Sequence, residues 1–114
     1  MDVSIFNEAE ALERVSGNRK MLRDMAAMAY QYFEKTLPLI MNLDSSGDRE
    51  EVAQMVHKLK SAYGNLSAKI VVQRLQSLEL TLQHDSETEI IQSHAKELEK
   101  AVLQFEDLFR ESGV

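Results

Sequence analysis

One proline and four glycines in 114 residues leave long stretches without a helix breaker, and through those stretches apolar side chains return every third or fourth position. That is the period of an α-helix, about 3.6 residues per turn, and not the strict alternation of a half-buried strand. The chain is therefore expected to be helical nearly throughout. Polar breaks fall at Ser16-Gly17-Asn18, at Asp44-Ser45-Ser46-Gly47 and around His84-Asp85-Ser86.

A short first helix can start on Asn7, with Glu10 three residues later to complete a capping box. A second runs from about Asn18 to Leu43 and carries two adjacent apolar rows. One holds Met21, Met25, Met28, Tyr32 and Leu39, the other Leu22, Ala26, Ala29, Phe33, Leu37 and Ile40. So wide a stripe implies burial on two sides, with core packing as the reading of the methionine row and a soft binding groove as its alternative. Pro38 lies inside this helix, where it removes one hydrogen bond and crowds the Glu34 carbonyl, so a bend is expected there and not an end.

Asp48 caps a third helix, with Glu51 at the capping-box position, running to about Asn65. Ser67 is a natural N-cap for a fourth, whose stripe is Val71, Leu75, Leu78 and Leu82. The triplet Ile70-Val71-Val72 hints at a strand, but the longer spacing is helical. Ser86 with Glu89 makes a further capping box before Ile91, Ala95, Leu98, Val102, Phe105 and Phe109, which hold one face over nearly five turns. Long amphipathic helices joined by short breaks are best satisfied by an antiparallel four-helix bundle, with the short additional N-terminal helix over one end.

Residues 1–114 are the size of one ordinary domain. Without cysteine there is no disulfide framework, thiolate nucleophile or thiolate zinc site, which suits a reducing cytoplasm. No apolar run is long enough to span a bilayer, and the acidic start lacks the plan of a signal peptide, so a soluble, cytoplasmic protein is expected. A formal charge of -6 with no clustered basic face argues against nucleic acid. There is no glycine-rich phosphate loop, and His57, His84 and His94 lack the spacing that sets two metal ligands on one helical turn.

The third helix holds the most informative block, Val56-His57-Lys58-Leu59-Lys60-Ser61-Ala62-Tyr63-Gly64-Asn65-Leu66-Ser67-Ala68. In helical projection Val52, Met55, Val56, Leu59, Ala62, Tyr63 and Leu66 gather on one side, and His57 falls nearly opposite. On its side lie Glu50, Ala53, Lys60, Ser61 and Gly64, so the imidazole faces water with a cation one turn away and little bulk beyond it. An exposed histidine on an amphipathic helix is by itself an ordinary solvated side chain.

The block resembles the signature of histidine-containing phosphotransfer (HPt) domains, H-x-L-K-G-x-x-G-x-x-G-A. His57, Leu59, Lys60, Gly64 and Ala68 match in place, while Ser61 and Ser67 stand where the family usually has glycine. Weaker similarity spans about residues 6 to 109. The resemblance implies a phosphorelay intermediate, with His57 accepting a phosphoryl group from an aspartate of one receiver domain and passing it to another. The expected partners are response-regulator receiver domains and a hybrid histidine kinase. The chain is expected to be a phosphocarrier without kinase activity of its own and a monomer, needing no cofactor, with the divalent metal ion supplied by the receiver.

Phosphoryl transfer needs an exposed, neutral imidazole. Lys60 would favour the neutral ring by charge repulsion and afterwards help balance the phosphoryl group; its plain alternative is a solvated lysine. Ser61 and Gly64 matter by being small, although Gly64 also suits helix packing or termination. The resemblance places Glu79 near the histidine, with Gln76 and Gln83 one turn to either side; any of the three could orient the ring or simply be solvated. Two other functions stay open: an HPt-like bundle that binds a partner and is never phosphorylated, and an oligomerisation module built on the stripe of the second helix.

Overall fold

The computed structural model describes residues 2–43, 48–84 and 87–114. Five helices follow one another, α1 Glu8–Arg14, α2 Arg19–Met41, α3 Arg49–Asn65, α4 Lys69–Gln83 and α5 Thr88–Glu111, with no strand among the described residues. The Ile70-Val71-Val72 triplet lies inside α4, where Val71 is buried on the helical stripe. The break at residues 44–47 and the Ser86 cap fall outside the described residues; α5 begins with Glu87 at its N-cap position.

Three helices start as local chemistry dictates, a side-chain oxygen taking up one of the unpaired amides of the first turn. Asn7 Oδ1 accepts from the Glu10 amide at 3.1 Å, Asn18 from Met21 at 3.0 Å and Asp48 from Glu51 at 3.0 Å. α2 continues through Pro38 to Met41, two residues short of the expected Leu43. Asn42 closes it, giving both its backbone N–H and its side-chain amide to the Pro38 carbonyl.

Ala11 from α1, Leu22, Phe33 and Ile40 from α2, Val56, Leu59 and Tyr63 from α3, Leu75 and Leu78 from α4, and Ile91, Leu98 and Phe105 from α5 form one apolar core. α2 packs on α3, α3 on α4, α4 on α5 and α5 back on α2, which closes a helical bundle around it. Phe6, from the arm before α1, meets the Phe105 ring edge to face at 5.4 Å, and Tyr63 meets the same ring at 5.6 Å.

Two expectations are corrected. The methionine row of α2 is not core: Met21, Met28 and Leu39 are exposed, and Met25 and Tyr32 are half-buried. The row led by Leu22 is the better covered, because α3 and α5 pack on that side of α2, while Met25 and Tyr32 lie only against the margin of the core. Ser67 is not the N-cap of α4. It has φ +55°, and around it the Ala68 amide donates to Tyr63 O and the Ser67 amide to Gly64 O, the pattern that ends a helix on a left-handed residue.

Ser67 thus terminates α3, and the family's glycine at this place answers a backbone need. Its hydroxyl reaches away from α4 to donate to Glu10 Oε1 at 2.8 Å. Ala68 takes the N-cap place without a side-chain bond. The first turn of α4 is served by the N-terminal arm, where Ser4 O accepts from the Ile70 amide at 2.9 Å. Among the described residues no helix is long and apolar enough to cross a membrane.

Candidate functional site

α3 turns Val52, Val56, Leu59 and Tyr63 into the core, and that burial fixes what its opposite face shows. His57 stands on that face with its side chain 64 % exposed. Across the groove to α4, the core residues Leu75, Leu78 and Leu82 set the rotation of the helix and bring Glu79 to the margin facing α3.

Glu79 joins the site together. Its Oε2 lies 2.9 Å from His57 Nδ1 and its Oε1 accepts from Lys60 Nζ at 2.9 Å. The carboxylate is 14 % exposed and Lys60 is 26 % exposed, so this pair is shielded while the ring projects into water. The Lys60 hydrogen bond holds the Glu79 carboxyl below the usual carboxylate range; partial burial opposes this, and the contact with His57 adds to the lowering. An ionised carboxylate can only accept, so Nδ1 carries the proton and donates. In the neutral form of the ring the second nitrogen, Nε2, then keeps its lone pair. Lys60, expected beside the ring, donates its hydrogen bond to Glu79.

Gly64 lies two turns beyond His57 inside α3. A Cβ built there would meet nothing within 4 Å, and its φ is not positive, so neither packing nor termination requires glycine. Ser61, one turn beyond His57, is exposed. The face past the ring is therefore low and open, as the small residues imply.

A hollow of about 720 Å³ flanks His57 between the first half of α3 and the last turns of α4. Gln83 lines it along with Glu79, whereas Gln76 is exposed on α4 and is not part of its wall. Lys58, not singled out by the sequence, lines it on the α3 side; its signal was its place next to the histidine on an exposed face. Among the described residues no group of three or more histidine or acidic side chains is placed to hold a metal ion.

The family model described as the Hpt domain matches residues 18–108, which includes the whole of α2 to α4 and most of α5. No curated protein and no solved structure gave a significant match.

Proposed function

Because the chain belongs to the Hpt domain family, we propose that His57 carries the phosphoryl group of a phosphorelay, taking it from the aspartate of one receiver domain and giving it to that of another. The observation that supports this most is the pairing of an exposed imidazole with a shielded carboxylate at 2.9 Å. It leaves the reactive lone pair on the nitrogen that points outward.

In the forward step Nε2 attacks phosphorus held in the receiver's pocket. The N–P bond forms as the P–O bond to the aspartate breaks, and the carboxylate leaves with the bonding electron pair. The Nδ1 proton stays on the ring, facing the Glu79 carboxylate, which offsets the positive charge that phosphorylation leaves there. Transfer to a second receiver reverses the step. The receiver supplies the divalent metal ion and most of the electrostatic stabilisation; this chain supplies a positioned nucleophile and acts as a carrier, without kinase activity of its own.

We read the ring of helix contacts as an antiparallel four-helix bundle of α2 to α5, with α1 set against α2, and residues 1–114 as one functional unit. Incubating the protein with phosphorylated receiver domains should give an acid-labile, alkali-stable label on His57. His57→Gln should abolish that label and leave helix content and melting near the parent's, since an outward ring contributes little to the core. A variant that is still labelled, or a parent that binds receivers and is never labelled, would overturn the proposal.

A further inference from the structure

Ser67 stands where the family usually has glycine, and its side chain builds a contact that glycine cannot make. The hydroxyl donates to Glu10 Oε1 at 2.8 Å, which ties the turn between α3 and α4 to α1. Two backbone bonds reinforce the tie. The Asn7 amide donates to Ser67 O at 3.2 Å and the Ile70 amide to Ser4 O at 2.9 Å. The family match covers residues 18–108, so the tie joins a segment outside the match to a turn within it.

The segment that holds the turn is itself anchored. Phe6 is fully buried and packs on both Phe105 and Phe109 of α5, at ring separations of 5.4 and 5.2 Å, and Ala11 of α1 lies in the core. Ser67 is 7 % exposed, so water competes little for its hydroxyl. The bonds from Ser67 and Arg14 hold the Glu10 carboxyl below its ordinary range, and it stays an ionised acceptor at neutral pH.

Resting on the phosphotransfer reading above, we infer that Glu10 is a positioning residue: through Ser67 it sets the angle at which α4 leaves the turn, and so holds Glu79 against His57 Nδ1. The connection is a lever. Burial of Leu59, Leu75 and Leu78 decides which faces α3 and α4 turn to each other, and the turn decides where α4 starts. Glu79 lies ten residues beyond Lys69, the first of α4, which is about 15 Å along the axis. At that distance a tilt of about 2° displaces the carboxylate by about 0.5 Å. Such a shift carries a contact of 2.9 Å out of the ordinary hydrogen-bond range, and it equals the tolerance of about 0.5 Å within which a reacting group must be held.

The test reads His57 directly, by the imidazole nitrogen shifts in NMR with the ring neutral, beside transfer from a phosphorylated receiver domain to the full chain. Ser67→Gly removes the hydroxyl while relieving the left-handed backbone, so it does not weaken the fold through strain. Ser67→Gly and Glu10→Ala should each move the His57 signal from the Nδ1–H form toward the mixed tautomers of a solvated imidazole, and slow transfer about fivefold. Glu10→Gln keeps an oxygen acceptor for Ser67 and should hold the parental signal, with transfer within twofold. Arg14→Ala removes the ion pair with Glu10 but leaves the Ser67 bond, and should match the parent in both readings. A parental tautomer and rate in either Ser67→Gly or Glu10→Ala, whatever their melting, would remove Glu10 from this role and leave His57 as the carrier. So would a loss in Arg14→Ala as large as in Glu10→Ala. A parent that neither phosphoramidate, a small phosphodonor, nor any phosphorylated receiver labels would instead remove the phosphotransfer reading, and the positioning role with it.

Discussion

Gly64 offers a sharp test, because its effects on stability and on function should run in opposite directions. Glycine inside a helix costs up to about 1 kcal/mol relative to alanine through lost backbone entropy. Such a residue is kept where a close neighbour or a positive φ demands it, and here there is neither: an added Cβ meets nothing within 4 Å. Gly64 lies in the last turn of α3, where fraying dilutes the gain, so Gly64→Ala should stabilise the fold by about 0.5–1 kcal/mol. For a domain of this size that raises the melting temperature by about 2–5 °C.

Function should respond to size. Gly64 lies seven residues after His57, about 10.5 Å along the axis and nearly in line with it. On the proposed phosphotransfer function, a receiver closed over the histidine would cover that point. Gly64→Ala should slow transfer modestly and Gly64→Leu by tenfold or more, although leucine is also a good helix former and should melt no lower than the parent. Melting followed by circular dichroism, receiver-dependent transfer and phosphoramidate labelling on the same three proteins separate the possibilities. A destabilised alanine variant would show that the glycine has a structural role, and a leucine variant transferring at the parental rate would show that the partner does not pass over this part of α3.

Two further outcomes follow from the hydrogen bonds. Because the carboxyl of Glu79 is held below its ordinary value by Lys60 and His57, its contribution to stability is complete above about pH 4.5 and is lost as pH falls through the lowered folded value; Glu79→Gln should flatten that acid limb in melting curves from pH 7 to 3 and slow transfer, and an unchanged limb would count against the ion pair. At Ser67, alanine keeps the left-handed backbone but loses the bond to Glu10, and should cost about 1 kcal/mol, whereas glycine relieves about 1 kcal/mol of backbone strain and should melt above the alanine variant; the reverse order in urea titrations would contradict the assignment of Ser67 to the end of α3.

What could be read from the sequence was what is decided within a turn or two of helix. Asn7 and Asp48 cap because the amides they bond are three residues away, and His57 faces outward because Val56 and Leu59 must face in. The methionine row departs from expectation because an apolar stripe states what a helix could bury and not whether another element arrives to cover it. Ser67 departs from expectation because a serine between two helices suits the end of one and the start of the next equally well by composition. Its positive φ is imposed by the chain's need to turn between Asn65 and Lys69, and only the family's glycine at that place hinted at it.

The choice of Glu79 over Gln76 has a geometric origin. Counting from Ser67, Lys60 and His57 stand seven and ten residues back along α3, Gln76 nine residues on and Glu79 twelve. Matching by distance from the turn would set Gln76 beside the histidine. Helical side chains, however, lean toward the N-terminus of their own helix. On α3 that is away from the turn and on α4 it is toward it. Lys60 therefore leans outward along α3 as Glu79 leans back along α4, and the two meet at 2.9 Å with His57 within reach of the second carboxylate oxygen. Gln76 leans back past the histidine and ends exposed. The lysine thus holds the carboxylate through one hydrogen bond, and the same carboxylate lies 2.9 Å from the ring.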